Sequence, residues 1–269
     1  MDQSIIKGIQ HLQLIKEEEE SISISTTSRS DLLEECALSL FGRLLANWHQ
    51  NMRALKSTLR FVWKMGSDLR TVDVGKNIIQ FKFNSRYQMK WVERNDPWNF
   101  DNNLLLLCRW TKGLSVNNIL FTYSPFWIQV WGLPFKSMSK EVSRDLGKRL
   151  GKYIELYKRS WLSEQAKFMR ISVDLSINKL LRRGGNIVNL DGGKYWVTFK
   201  YERLPRFCFQ CGILGHDEKH CPGFSSNPEA LRQYEDWLRA NGSSKSEPEK
   251  ARKFSSDGFE ERKDEGSDD

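Results

Sequence analysis

Long apolar runs are missing from this chain of 269 residues. The longest notable one, Leu104–Cys108, falls far short of the ~18 residues that a membrane-spanning helix needs. The N-terminus, MDQSIIKGIQHLQLIKEEEE, brings charges too early and too densely for the apolar stretch of a secretory signal. Both absences argue against a membrane protein and against an exported one. Hydrophobic residues make up 39%, under the roughly 45–50% usual in globular domains, so part of the chain, and not all of it, builds a core. Histidine is scarce, with four residues, and neither His11 nor His49 has a serine or cysteine context resembling a nucleophile. A phosphate-binding glycine loop and an acidic trio for Mg²⁺ are also lacking; Asp73, Asp96 and Asp101 are scattered and read as solvated turn residues. The expectation is a protein that is not an enzyme. Cysteines number five, an odd count, and three fall within fourteen residues. That pattern suits a metal site in a reducing compartment better than a disulfide framework.

The charge is unevenly placed. Residues 1–30 carry three basic and five acidic side chains and residues 241–269 carry six and nine, which leaves 33 basic against 20 acidic on residues 31–240. The basic surplus therefore lies on the part that can fold, and a folded basic body attracts polyanions, nucleic acid above all.

Along the chain, residues 1–30 and the tail 241–269 are polar, lack apolar periodicity and read as disordered. No internal repeat of fixed period is found. Residues 31–125 alternate strand and helix signals: a strand in CALSLFGRLL, a helix over 51–65, strands in DLRTVDVG and NIIQFKF, a helix capped by Ser85, and a strand in LLLLCRW. The order β-α-β-β-α-β is the split βαβ arrangement of ferredoxin-like and RNA-recognition (RRM-like) domains. In NIIQFKF the residues Ile79, Phe81 and Phe83 share the face expected against the helices, which leaves Phe41 as the one candidate stacker on the open face of that sheet, with a place in the core as its commoner alternative. Residues 126–205 form a β-rich half-domain: strands in FWIQVWGLP, KYIELYK, KFMRISVDL, GNIVNL and KYWVTFKYE, with a helix over 139–151. Residues 224–240 read as a helix with Asn227 as cap and Pro228 in its first position. Trp63, Trp91, Trp110, Trp127, Trp131 and Trp196 are expected in the core, as are the thiols of Cys36 and Cys108 in strands. The fold class is α+β, an RRM-like unit followed by the β-rich half-domain, one small metal module and a short helix, between disordered tails.

Residues 206–223 hold the decisive motif. CFQCGILGHDEKHC sets Cys208, Cys211, His216 and Cys221 at the spacing C-x2-C-x4-H-x4-C. Three thiolates and one imidazole complete a closed tetrahedral Zn²⁺ site of the structural kind, with no position left to activate water. Gly212 and Gly215 allow the tight turns that so short a wrap needs. His220, next to Cys221, offers a competing two-cysteine, two-histidine set.

YERLPRFCFQCGILGHDEKHC, with Trp91 to Trp98, CRW at 108–110, VWGLP at 130–134 and VDLSINKLLRRGG at 173–185, resembles a large plant family. In that family a domain of unknown function precedes a CCHC zinc knuckle. Its members are similar to the gag-like first-reading-frame proteins of plant non-LTR retrotransposons. The resemblance covers about residues 35–240 and implies binding of single-stranded nucleic acid, RNA first. It also implies that Phe209, with Ile213 or Leu214, forms the apolar platform on which an unpaired base stacks.

Basic residues add weaker signals. Arg203, Arg206 and Lys219 surround the knuckle, where they either balance the thiolates or meet phosphates. Lys140, Arg144 and Lys148 form a stripe opposite Val142, Leu146 and Leu150, and Arg53, Lys56, Arg60 and Lys64 repeat the pattern on the helix at 51–65. The reading is a zinc-dependent nucleic-acid-binding protein with Zn²⁺ as its cofactor and single-stranded RNA or DNA as its partner. No membrane partner is expected, and self-association into a homo-oligomer is left open. The rival is a protein–protein adaptor in which the knuckle is only a staple.

Overall fold

The computed structural model describes residues 15–21, 30–46, 50–157, 167–188, 192–223 and 232–240. The expected disordered tail 241–269 lies outside these residues, as does most of 1–30; the described part of the latter contains one helical turn, α1 (Lys16–Glu19).

A short helix, α2 (Ser30–Ala37), leads into β1 (Ser39–Leu45), three residues later than the strand expected from the sequence. The helix owns the difference: Leu38 N–H donates to the Glu34 carbonyl at 3.0 Å and the Ser39 hydroxyl donates to that of Glu35 at 2.9 Å. Cys36 therefore sits half-buried at a helix end, not in a strand, while Cys108 is half-buried in a strand. Then come α3 (Met52–Val62), whose Asn51 cap accepts from Ala54 N–H, β2 (Arg70–Asp73), β3 (Ile79–Lys82), and α4 (Arg86–Arg94), whose Ser85 cap accepts from Gln88 N–H. A hairpin closes the unit, β4 (Trp98–Phe100) and β5 (Asn103–Arg109). The sheet is antiparallel in the order β2-β3-β1-β5-β4.

The second unit consists of β6 (Tyr123–Trp131), α5 (Lys140–Leu150), β7 (Lys152–Leu156), β8 (Phe168–Ser176), β9 (Gly184–Val188) and β10 (Lys194–Tyr201). Its antiparallel order is β7-β8-β6-β10-β9. Counted from the first strand of each sheet, both orders are the same, 2-3-1-5-4. The second unit thus repeats the topology of the first, with residues 177–183 in irregular conformation where the first has α4. The repeat carries no fixed period in the sequence because it is a repeat of pairing alone.

Two apolar cores result. One lies between α3, α4 and one face of the first sheet, with Leu40, Leu55, Trp63, Ile79, Phe81, Val92 and Leu105. Ile79 and Phe81 face the helices as the alternation predicts. The other face of that sheet, Phe41, Ile78, Leu104 and Leu106, joins a larger core. There the connecting segment (Leu114, Val116, Ile119, Phe121) meets the inner face of the second sheet, Phe126, Ile128, Val130, Met169, Ile171, Val197 and Phe199. Helix α5 adds Val142, Leu146 and Leu150 to the same core. Phe41 is therefore a core residue and does not stack on a ligand.

The tryptophans divide. Trp63 is fully buried, and Trp91, Trp98 and Trp110 pack partly buried against the two cores. Trp127 and Trp131 have the opposite parity from Phe126, Ile128 and Val130 and lie half-buried on the outer face of the second sheet, while Trp196 is 58% exposed. Both faces of β6 read as apolar, so alternation identifies a strand but not which face meets solvent. Asp96, expected in a solvated turn, is buried, with 9% exposure. Burial, and then the Glu93 and Asp174 carboxylates, push its carboxyl well above the usual aspartate range.

Candidate metal centre and nucleic-acid interface

The knuckle is a compact hairpin. Phe207 bridges Leu214, Cys208 N–H donates to the Ile213 carbonyl at 2.9 Å, and Gly212 N–H donates to that of Cys208 at 2.8 Å. Gly212 and Gly215 have φ of 73° and 88°, the left-handed region that glycine tolerates. Side chains also have no room there: a Cβ on Gly212 would lie 2.3 Å from the Tyr234 ring, and one on Gly215 would lie 2.5 Å from Leu45. The glycines thus turn the loop and seat it against β1 on one side and the C-terminal segment on the other.

These turns bring Cys208, Cys211, His216 and Cys221 together, with their ligand atoms all within 4.8 Å of one another and Cys211 Sγ 3.3 Å from His216 Nε2. A tetrahedral zinc with bonds of about 2.0–2.3 Å separates its donors by roughly 3.5–3.8 Å, so the cluster fits the ion. His220 is turned away, its Nδ1 2.6 Å from Asp217 Oδ1, and is not in the cluster. Burial pushes the Cys208 thiol up, and burial with the adjacent Cys208 and Cys221 sulfurs pushes the Cys211 thiol up to about 12. Three sulfurs this close need a cation before they ionise together, which zinc supplies when bound. The module is a zinc site, closed by four protein ligands and structural in kind.

Around it, Leu214 is buried in the larger core, whereas Ile213 and Phe209 are half-buried, so of the two aliphatic candidates Ile213 is the one with surface to offer. Phe209 packs edge-on against Phe207, ring centroids 5.1 Å apart, and its carbonyl accepts from Tyr234 N–H at 3.0 Å. Arg206 pairs with Asp217 at 3.7 Å. Exposed Arg203 donates to the Asn95 carbonyl at 2.7 Å beside the Trp98 ring, and Lys219 is exposed.

The helix expected through residue 240 is absent from its described part. Residues 232–235 have no regular structure, Asp236–Leu238 forms a 3₁₀ turn, and Arg239 bridges Tyr201. Docking overrides helical propensity: Tyr234 and Leu238 are buried in the larger core, Ala240 N–H donates to the Tyr201 carbonyl at 2.9 Å, and the Arg239 guanidinium donates to the Leu204 and Pro205 carbonyls. The cap signals at 227–228 lie outside the described residues.

Lys140, Arg144 and Lys148 are exposed on α5, opposite its buried side. On α3 the stripe is interrupted, since Arg60 donates to the Leu69 carbonyl and the Thr71 hydroxyl. The segment of Leu181, Arg182 and Arg183, marked in the sequence only by the family resemblance at 173–185, links α5 to the knuckle. Arg182 donates to the Arg149 carbonyl at 3.0 Å, Leu181 N–H donates to that of Gly212 at 2.8 Å, and the Arg183 guanidinium lies 5.5 Å from the Tyr234 ring. The dibasic pair, two strands upstream of the knuckle, was the signal for them.

Residues 32–118 match a family described as a domain of unknown function (DUF4283), and residues 175–223 match one described as a zinc knuckle. The chain thus joins the two domains anticipated from the sequence, and the knuckle match reaches back through β9 and β10. An uncharacterized protein of Arabidopsis thaliana is 28% identical over 131 residues, 49% of this chain and 41% of that protein, so the chain spans less than half of that relative's length. Among solved structures, the chain is similar to the three N-terminal RNA binding domains of the yeast splicing factor Prp24 (9% identity, 52% of this chain and 54% of that one, TM-score 0.21). It is also similar to the RNA binding domain of Hrp1 in complex with RNA (11%, 61% and 96%, TM-score 0.24).

Proposed function

We propose that the chain is a zinc-dependent nucleic-acid-binding protein, gag-like and derived from a plant retrotransposon, whose target is single-stranded RNA. The observation that carries the reading is the Cys3His cluster, whose Gly212 carbonyl is held by Leu181 next to Arg182 and Arg183, in a chain whose α5 exposes Lys140, Arg144 and Lys148. In this reading the cations hold phosphates with little regard to sequence, and the half-buried Phe209 and Ile213 meet an unpaired base. Binding without chemistry is part of the proposal, and it is supported by a donor set that fills all four zinc positions from the protein.

The adaptor reading draws on a different observation. Leu214 and Phe207 bury the knuckle's apolar side in the body, as a staple would. Fluorescence anisotropy with an oligouridylate at several salt concentrations separates the two. The nucleic-acid reading expects salt-sensitive affinity, and replacing Lys140, Arg144 and Lys148 with Gln lowers the salt slope by about 0.7 per residue, roughly 2 in all. Absence of salt-sensitive binding would leave the adaptor.

A further inference from the structure

The outer face of the second sheet is built unlike its inner face. Inside, β6 offers Phe126, Ile128 and Val130, all without exposure. Outside, every fourth residue carries an aromatic ring, each beside a cation from a different strand. Lys152 Nζ lies 3.6 Å from the centroid of the Tyr123 ring, the Arg170 guanidinium 3.8 Å from Trp127, and Lys200 Nζ 5.0 Å from Trp131. The three rings are four residues apart, so along a strand they form a track of about 27 Å. We propose that this face, centred on Trp131, Phe168 and Lys200, is a stacking platform for the unpaired bases of a single-stranded nucleic acid. The proposal rests on the nucleic-acid reading above and adds a second site, on the opposite side of the sheet from the apolar core that holds the knuckle.

Three features support a base as the occupant. Trp131 and Phe168 face each other across the register of β6 and β8, centroids 4.7 Å apart, on the two innermost strands of the β7-β8-β6 half of the sheet. The rings are held in place: Trp131 Nε1–H donates to Gln129 at 3.1 Å, Gln129 donates to Glu202 at 3.1 Å, and Arg170 grips Glu202 with two 2.8 Å bonds. Indole and amide polar groups are thus satisfied within the face, which leaves ring surface as what it offers. At the Trp131 end of this face the acid, Glu202, is paired with Arg170, while Glu155 and Asp174 share the face toward Tyr123, so Lys200 contributes positive charge where a stacked nucleotide carries its phosphate. An aliphatic helix of a protein partner would ask for Leu, Ile or Val here, as on the inner face. Rings with cations suit bases, whose π faces stack on aromatics whatever the sequence. Paired bases cannot reach such a platform.

The test uses the full chain with zinc, an oligouridylate of about 20 nucleotides, longer than the ~4–16 that single-strand sites cover, and a hairpin duplex. Trp131→Ala should weaken single-strand binding about 5- to 150-fold, the worth of one aromatic–base stack, and leave duplex binding nearly unchanged. Trp131→Phe, which keeps a ring, should restore most of it. Thermal melts and zinc content of each variant show whether it is folded. Ultraviolet crosslinking of the unmutated chain to a 5-iodouridine oligonucleotide needs no variant and should label peptides containing Trp131 or Phe168. A chain that binds no oligonucleotide overturns the nucleic-acid reading and this proposal with it. A chain that binds, but crosslinks only within 203–221 and keeps its affinity in folded Trp131→Ala, overturns the platform alone.

Discussion

The two sheets share one strand order and differ in what their second faces meet. In the first, helices α3 and α4 cover one face and the connecting segment covers the other, where Phe41, Leu104 and Leu106 are buried. In the second, α5, residues 177–183, the knuckle and residues 232–240 all crowd one face, and the other keeps Trp131, Phe168 and Lys200 half-buried. Among the described residues, the same pairing pattern therefore gives one sheet covered on both faces and one whose outer face is only half-buried. The face on which RNA-recognition domains stack bases is closed in the unit that best matches their topology and open in the one that lacks the second helix. Topology alone does not say which sheet binds.

The largest perturbation of this contrast is loss of zinc. Chelation, or Cys208→Ser, removes the folding energy of a structural site and should release Phe207, Leu214, Tyr234 and Leu238 from the larger core that the two sheets share. Limited proteolysis should then cut within 203–223 while the first unit's helical core, around Trp63 and Phe81, stays resistant. Cleavage in both units at once would mean that they do not differ in their dependence on the metal.

Next comes a pair of substitutions. Phe41→Ala removes a buried ring and should cost about 3–5 kcal/mol in denaturant unfolding, with single-strand affinity unchanged in the folded fraction. Trp131→Ala should cost less stability, about 1–2 kcal/mol, because the ring is half-exposed. Equal stability losses would erase the distinction between the two faces.

The smallest effect concerns two carboxyls of opposite sign. Asp96 has its carboxyl raised, chiefly by burial, with Glu93 and Asp174 adding to it and Arg203 opposing. The folded chain keeps a proton that the unfolded chain releases, so this group favours folding below the ordinary aspartate value of about 3.9 and loses that contribution as pH rises. Its Oδ1 also has no hydrogen-bond partner. Asp96→Asn should therefore raise the melting temperature at neutral pH. At Glu202, burial opposes ionisation but the Arg170 pair and the Gln129 amide outweigh it, so the carboxyl is lowered. Its contribution is present above the ordinary glutamate value of about 4.3 and is lost as pH falls through the lower folded value. Glu202→Gln should lower stability at neutral pH, and its difference from the natural chain should vanish in acid. Melting temperatures of both variants from acid to neutral pH check the two signs.

What the sequence discloses follows the range of the forces involved. The zinc ligands are legible because all four lie within fourteen residues and their spacing is their geometry. Most strands and α3 to α5 are legible from periodicity and local caps such as Ser85. The outer face of the second sheet is not, because Trp127 and Trp131 are as apolar as Ile128 and only the placement of the rest of the chain decides which side stays open. Asp96 looks like a turn residue and is buried, with Glu93 of its own unit and Asp174 of the second near its carboxyl. The segment 232–240 carries a helix-like pattern that docking through Tyr234 and Leu238 overrides.

Oxidative footprinting of the zinc-loaded chain, read by mass spectrometry with and without oligouridylate, tests the asymmetry of the two sheets most directly. In the free chain Trp196 and Trp131 should oxidise while Phe41 and Phe81 stay protected, and the oligonucleotide should then shield Trp131 and Phe168. Oxidation of Phe41 as readily as Trp131 in the free chain would contradict the account.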